Sequence, residues 1–482
     1  MCAAATSSPL GTGVCLGKAS ERMTAASAPI SYACHIAVGH PEQARLLLLP
    51  DESGWRLPTF SEGARHFWQE IGHVNGWLRE SLGAPATTLR CLAIAYSPDD
   101  ERVSKVYAAV LRDPSWALPA GARWATREDL ASLPLAVEDH RAPIADWFAW
   151  YAGSAAPRQR PPWYMPGWLD VATAWATDAL VRAGLAPTGP AEQLRSWQRS
   201  AILRLPTAVG GAYLKAVPPM FGHEPALTAA LAATDPARFA RPIAIDRERG
   251  WLLMRELPGP TLETRRAAED VGLWQAAVAA FAEVQIASTA RLSQLRAIGV
   301  PERPLGTLAA RLTPLLTDMA ATLTDSPAGL SAEARVNLRA MAPYLRAMTD
   351  ELAAYGLPAA LEHGDFWAGQ VVVNQAGFGF LDWADSSIAH PFFSLVLFLV
   401  EIEDFFPHVP GVRERLRDAY LEPWASVAPG TNLTRAFELA QPLAALHHAL
   451  TYHAIVLPNM EVKWELDLML PFYLKMALRL AA

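Results

Sequence analysis

His363-Gly364-Asp365-Phe366-Trp367-Ala368-Gly369-Gln370-Val371-Val372-Val373, followed by Phe380-Leu381-Asp382-Trp383-Ala384-Asp385, is the stretch whose reading decides the fold. It interrupts a C-terminal part that is otherwise helical in pattern, rich in Ala and Leu from about residue 270 onward. Two short β-like runs (QVVVN and GFGFLDW) flank Gly377 and read as a hairpin. Asp365 sits on a tight His-Gly turn. Gln370 follows five residues later, at the start of an apolar strand, and Asp382 comes seventeen residues after Asp365, at the end of the return strand. Hairpin geometry brings the groups at both strand ends together. A carboxylate on a loop can orient an acceptor hydroxyl and take its proton, while strand-end groups can hold magnesium against nucleotide phosphates. Either triplet alone, HGD or LDW, is an ordinary turn or strand end. Their combination at this spacing carries the weight.

Upstream, strands come first and helices after. Ser200 to Pro206, Ala212 to Val217 and Gly250 to Glu256 read as strands, the first two joined by a turn around Gly210 and Gly211. Lys215 lies inside the apolar run Ala212-Tyr213-Leu214-Lys215-Ala216-Val217. An unpaired ammonium is costly to bury there, so the residue either snorkels to the surface or meets a partner.

The HGD-to-LDW pattern, with the strands before it and the helices after it, resembles the aminoglycoside phosphotransferase and choline kinase-like family. That signature is HGD, an Asn five residues on, and an apolar-Asp-Trp after a short hairpin. The resemblance spans residues ~186–482 and implies an α+β, two-lobed protein-kinase-like domain, with a β-rich lobe over 186–260 and a helical lobe over 261–482. It implies transfer of a phosphoryl group from ATP or GTP, with Mg2+, to a hydroxyl of a small molecule: aminoglycoside-like, amino-alcohol or sugar. By the same resemblance Asp365 is the catalytic base beside His363, and Asp382 with Gln370 holds the metal. Lys215 would reach the phosphates and pair with Glu224, the only carboxylate between Lys215 and Asp235. Glu256 and Leu257, in the run Trp251 to Gly259, would form the hinge whose backbone meets a purine.

The sequence departs from that signature twice. Gln370 stands where the family has Asn, which bears on metal affinity. Ser394 stands where an Asp usually follows the Gly-x-Pro segment, here His390-Pro391, which bears on how the loop is braced. No glycine-rich phosphate loop is evident between residues 190 and 212, a feature the family often lacks. Glu401, Glu403 and Asp404 are candidates for binding a cationic acceptor, although a solvated helix end accounts for them as well. His447, His448 and His453 lie on a late apolar helix and read as satisfied or exposed histidines rather than ligands. A pseudokinase, or nucleotide-binding interaction module, is the rival reading, with Gln370 as the mark of lost catalysis.

Residues 31–150 read as a separate α+β module, with strands at Ala44 to Pro50, Leu89 to Tyr96 and Val103 to Leu111. A helix is expected over Ala64 to Leu82, with Phe67, Ile71, Val74 and Leu78 on one stripe and Gly83 as its C-cap. Leu46 to Pro58, that helix and Trp124 to Leu130 together resemble the layout of Nudix hydrolases. Matching Gly83 to the closing glycine of that motif leaves Glu80 as its only carboxylate, too few to hold magnesium on a diphosphate. A Nudix-like domain without catalysis is therefore expected, with an unrelated α+β module as the other reading and an active Nudix hydrolase beside a silent kinase fold as the remotest alternative. Ser154 to Gly167 (SAAPRQRPPWYMPG) marks a linker within residues 151–185. An amphipathic helix from Trp168 to Ala183 follows, with Trp168, Val171, Trp175 and Ala179 on one side.

Composition bounds the rest. The 482 residues carry a formal net charge of -7, so no basic face for nucleic acid is expected. Four cysteines (Cys2, Cys15, Cys34 and Cys91) lack CxxC spacing and suit reduced thiols in a cytoplasmic protein. No apolar run reaches the ~20 residues a bilayer needs, so no membrane partner is expected. Pro391 to Val400 is the best candidate, and a buried helix is the better account of it. Residues 1–30 read as a loose tail with no signal peptide.

Overall fold

The computed structural model describes residues 31–97, 101–151, 156–318, 323, 329–400 and 402–481. The expected tail over residues 1–30 and the acidic candidate Glu401 lie outside the described residues. The chain divides into two compact units, one running through Pro218 and adding Trp251–Met254, the other taking Pro219–Gly250 and Arg255–Ala482.

In the first unit, β1 (Ser31–Gly39) is the spine of a mixed sheet. It pairs in parallel with β6 (Arg102–Leu111) over its whole length, and antiparallel with β4 (Thr59–Glu62) at its start and β2 (Leu46–Asp51) at its end. β2 also carries β3 (Gly54–Arg56) and β7 (Arg123–Ala125), and β6 carries the long β5 (Ala86–Ser97). The middle of β1 and the end of β6 are buried on both faces, and Ala37, Leu46, Leu48 and Val106 pack with Ile144, Trp147 and Phe148. The last three come from α3 (Arg141–Tyr151), which follows the short α2 (Arg127–Ser132), itself started by a capping box from Thr126 and Asp129.

The helix expected over Ala64 to Leu82 is shorter. α1 spans only Gly72–Leu82, buries Val74 and Leu78, and ends at Gly83 in the left-handed conformation (φ 59°). The backbone before it is used elsewhere: Ile71 N–H donates to Leu194 O at 3.1 Å, and Gln69 O accepts from Ser196 N–H at 3.0 Å. Those groups pair with β8 (Glu192–Trp197), so they cannot close helical turns, and Phe67 is left exposed.

α4 (Trp168–Arg182) corrects the expected stripe. Val171 is exposed, and the buried line is Trp168, Ala172, Ala176, Ala179 and Leu180, one position further round. Trp168 and Trp175 meet the Trp251 ring, with centroids at 6.0 and 5.4 Å. β8, β9 (Ser200–Thr207), β10 (Gly210–Ala216) and β12 (Trp251–Arg255) are neighbours in one sheet in the order β12-β10-β9-β8, with β8–β9 and β9–β10 antiparallel. β9 and β10 turn at Thr207–Gly210, as the two glycines indicated.

The second unit holds α5 (Glu224–Thr234), β11 (Pro242–Asp246) and a helical body. Its central helix α6 (Val271–Thr289) buries Trp274, Ala277, Val278, Phe281, Ala282 and Gln285. α6 is also long and apolar enough to cross a membrane, whereas the sequence pointed to Pro391 to Val400. That segment is instead a buried turn leading into α10 (Leu395–Leu399). The other helices are α7 (Leu292–Ala297), α8 (Leu305–Thr317), α9 (Ala332–Ala354), α11 (Ile402–Phe405), α12 (Val412–Leu421), α13 (Leu433–Thr451) and α14 (Met469–Ala481); α12 packs on α6, and α8, α9 and α14 pack on α13. Between α9 and α10 come β13 (Ala360–Glu362), the hairpin of β14 (Val371–Asn374) and β15 (Gly377–Phe380), and β16 (Ser387–Ala389), which pairs back onto β13. β16 was not legible beforehand.

Candidate active site

The site is built where two small strand pairs converge. β13 and β16 pair Glu362 with Ser387, so the HGD turn leaves β13 beside the chain that enters β16. In the hairpin, Val371 pairs with Phe380, and Leu381 N–H donates to Gln370 O at 3.0 Å. Gln370 and Asp382 therefore stand next to each other at the same hairpin end.

His363 joins the two pairs. Its Nε2 donates to Leu381 O at 2.9 Å, and its Nδ1 faces Asp365 N–H at 3.4 Å. A carbonyl can only accept, so the ring carries its proton on Nε2. The imidazole lies 4.6 Å from the Trp383 ring and is fully buried. Both ring nitrogens face backbone, which suits His363 to bracing the turn rather than carrying protons.

Gly364 has φ 79°, and a Cβ there would sit 2.2 Å from Asp385 O, so only glycine lets the turn approach this closely. Asp365 follows, 5% exposed, with Phe366 beneath it stacked on Phe281 at 3.9 Å. Asp382 is itself left-handed at φ 58°, a conformation uncommon outside glycine and tolerated best by Asp and Asn. The next residue is held by Glu224 at the start of α5, whose Oε1 accepts from Trp383 N–H at 3.2 Å. The donors at the hairpin end, one carboxylate and one amide, are hard oxygen ligands of the kind magnesium takes.

Beneath the turn lies a buried polar brace that sequence reasoning missed. Glu362 is fully buried and accepts from Gly364 N–H at 2.6 Å, Ser387 Oγ at 3.1 Å and Ser394 Oγ at 3.4 Å. His447 Nε2 of α13 stands 3.4 Å away. Burial pushes the Glu362 carboxyl up, but His447, His448 and the Gly364 N–H outweigh it and hold the group at about 2. Burial lowers His447 and takes His448 to about 3, so their pull on Glu362 acts in acid, where they are charged, and near pH 7 the carboxylate rests on its Gly364, Ser387 and Ser394 donors. Ser394 Oγ also accepts from His363 N–H at 3.1 Å and from Gln285 Nε2 at 3.2 Å. Ser394 thus ties the turn to the buried Glu362 carboxylate. The only earlier hint was a lone acid inside an apolar strand.

The other candidates fall as follows. Lys215 is 4% exposed in β10, opposite Ile202, so it does not snorkel to the surface. Glu256 is exposed beyond β12. Leu257 packs over the hairpin, where a Cβ on Gly379 would meet it at 2.3 Å. Glu403 and Asp404 are exposed in the first turn of α11. His453 faces Asp318 at 2.8 Å. In the first unit, Glu80 is exposed beside Arg79 and is the only carboxylate on α1.

Residues 190–429 match the family model described as the phosphotransferase enzyme family. Among solved structures, a choline/ethanolamine kinase family protein from Mesorhizobium loti is 19% identical, with 64% of this chain and 94% of that chain covered and a TM-score of 0.45. A choline kinase from Streptococcus pneumoniae is 12% identical, with 64% and 98% covered and a TM-score of 0.44. A macrolide 2'-phosphotransferase from Brachybacterium faecium is 17% identical, with 58% and 93% covered and a TM-score of 0.40. No curated protein matches the chain.

Proposed function

Since residues 190–429 belong to the phosphotransferase enzyme family, we propose that the protein moves the γ-phosphoryl group of ATP or GTP onto a hydroxyl of a small molecule. The observation that supports this most is the meeting of the HGD turn with the hairpin end, one carboxylate on each, over a braced and buried base. In this reading Asp365 accepts the hydrogen bond of the acceptor hydroxyl, fixes its lone pair toward the phosphorus and takes its proton as the bond forms. Asp382 and Gln370 would hold a magnesium ion, which when bound neutralises charge on the phosphates. Lys215 would neutralise the donor's phosphate oxygens. Glu256 and Leu257 would offer backbone groups to the base. Glu403 and Asp404 would favour a cationic acceptor such as an amino-alcohol or aminoglycoside. The N-terminal Nudix-like module contributes no hydrolysis in this reading, because Glu80 is alone on α1.

An acceptor screen by nucleotide consumption, over aminoglycosides, choline-like amines, sugars and nucleosides, finds the substrate. On the acceptor found, Asp365→Asn should cut kcat by roughly 10²–10⁴-fold, the usual worth of a positioned general base, with nucleotide affinity little changed. A near-normal rate in that variant would remove Asp365 from the chemistry. Nucleotide binding without turnover on any acceptor would favour the pseudokinase.

A further inference from the structure

The first unit carries a second cluster of chemical groups, which owes nothing to the phosphotransferase reading. Cys34 of β1, Glu62 of β4 and His73 of α1 point their donor atoms at one spot. Cys34 Sγ lies 3.8 Å from Glu62 Oε1 and 3.9 Å from His73 Nε2, and those last two atoms are 3.4 Å apart. The register builds this: Cys34 pairs with Phe60, two residues before Glu62, and α1 brings His73 Nε2 to the same pair of side chains.

A point equidistant from the three atoms lies about 2.1 Å from each. Zinc bonds nitrogen and carboxylate oxygen at about 2.0–2.2 Å and sulfur at about 2.3 Å, so an ion set slightly off the plane meets all three lengths. Charge balances as well, because a thiolate and a carboxylate neutralise a divalent ion and the imidazole adds none.

The surroundings match a second coordination shell. Glu62 Oε2 faces His66 Nε2 at 3.6 Å, and His66 Nδ1 faces Glu70 at 3.4 Å. The His66 ring stacks on His73 at 4.1 Å. His66 thus stands as a charged neighbour between the two carboxylates, paired most closely with Glu70. Lys105, the nearby cation, donates to His66 O and lies 5.5 Å from the Tyr32 ring centroid. Side-chain exposures of 16% for Glu62 and 13% for His73 leave the spot reachable from solvent.

We infer that Cys34, Glu62 and His73 form a three-ligand site for a zinc ion, with a water in the fourth position. Binding replaces the Cys34 S–H bond with a zinc–sulfur bond and releases the proton to solvent.

Titrating the metal-free, full-length protein with Co²⁺ tests this. A thiolate-to-cobalt charge-transfer band should grow in the near ultraviolet, saturate at one equivalent and vanish when Zn²⁺ is added. Metal held by Gln370 and Asp382 cannot give this band, because their donors are oxygens and not sulfur. The band should persist in Cys91→Ser, whose thiol donates to Ala93 O instead, and disappear in Cys34→Ser. Glu62→Gln and His73→Asn should each weaken Zn²⁺ binding at least tenfold, and these two carry the test if Cys34→Ser fails to fold. No thiolate band in the wild type, a band surviving in folded Cys34→Ser, or unchanged Zn²⁺ affinity in both other variants overturns the site.

Discussion

Gln370 carries one methylene more than the asparagine found at its place in the family, which moves its amide oxygen about 1.5 Å further along the side chain. Magnesium demands near-octahedral geometry at about 2.0–2.1 Å, so the difference matters. The backbone has no room to retreat. Gln370 N–H donates to Trp367 O at 2.9 Å, its own carbonyl accepts from Leu381, and Val371 is locked opposite Phe380. With the main chain fixed, the metal in the proposed reading is held chiefly by Asp382 and the nucleotide, with water filling the gap. Gln370→Asn should therefore lower the magnesium concentration for half-maximal rate, or leave activity intact. Loss of activity in a folded Gln370→Asn protein would mean that the residue does not stand in the asparagine's place. Position, spacing and chemical type of this residue were all legible in the sequence. Its fixed backbone was not, because that depends on bonds to the hairpin's other strand and to the turn before it.

At the scale of elements, the hairpin was legible because Gly377 interrupts two apolar runs, while β13 and β16 were not. Ser387-Ile388-Ala389 is too short to show alternation, and its partner strand is named only by contact. Glu362 sits in that pair, and its importance comes from groups far along the chain: Ser387, Ser394 and His447. The folded carboxyl, at about 2, lies below the ordinary 4.5. A depressed carboxyl adds stability that is complete above its unfolded value and lost as pH falls through the folded one. The window is thus about pH 4.5 down to 2. Glu362→Gln should destabilise the protein by about 1–3 kcal/mol at pH 7, because the Gly364, Ser387 and Ser394 donors lose a charged acceptor. It should also flatten the stability–pH curve across that window. Denaturant unfolding of both proteins at several pH values checks this, and superimposable curves would remove Glu362 from the brace.

At the scale of the molecule, the sequence suggested a module over 31–150, a linker, and then the β-rich strands from 186. The strand patterns themselves were legible, but their pairing across that linker was not. β8 gives its outer edge to residues 69–71, through Ile71 to Leu194 and Ser196 to Gln69. Asn75 Nδ2 reaches Gln193 Oε1 at 3.0 Å while its Oδ1 accepts from Thr88 N–H at 3.0 Å, and Ser196 Oγ donates to Leu89 O. The turn from β8 to β9 is sealed from the linker side. Trp163 Nε1 donates to Trp197 O at 2.7 Å, and the Trp68 ring meets the Trp197 ring edge-on at 5.7 Å. None of these contacts has a sequence signature, since each is made by a polar group or a tryptophan and all but Asn75 to Thr88 join residues of different modules. A fragment of residues 186–482 would expose the β8 edge and its tryptophan to water and leave several backbone groups without their partners. That fragment should aggregate or unfold without cooperativity, whereas the full chain should melt in a single sharp step over these residues. Restoring the linker alone, as residues 156–482, returns Trp163 but not the pairing with residues 69–71, so it should give only partial recovery. Circular dichroism melts and sedimentation of the three proteins decide the matter. A soluble 186–482 fragment that melts as cooperatively as the full chain would show that the N-terminal module merely rests on β8 and that the strands fold without it.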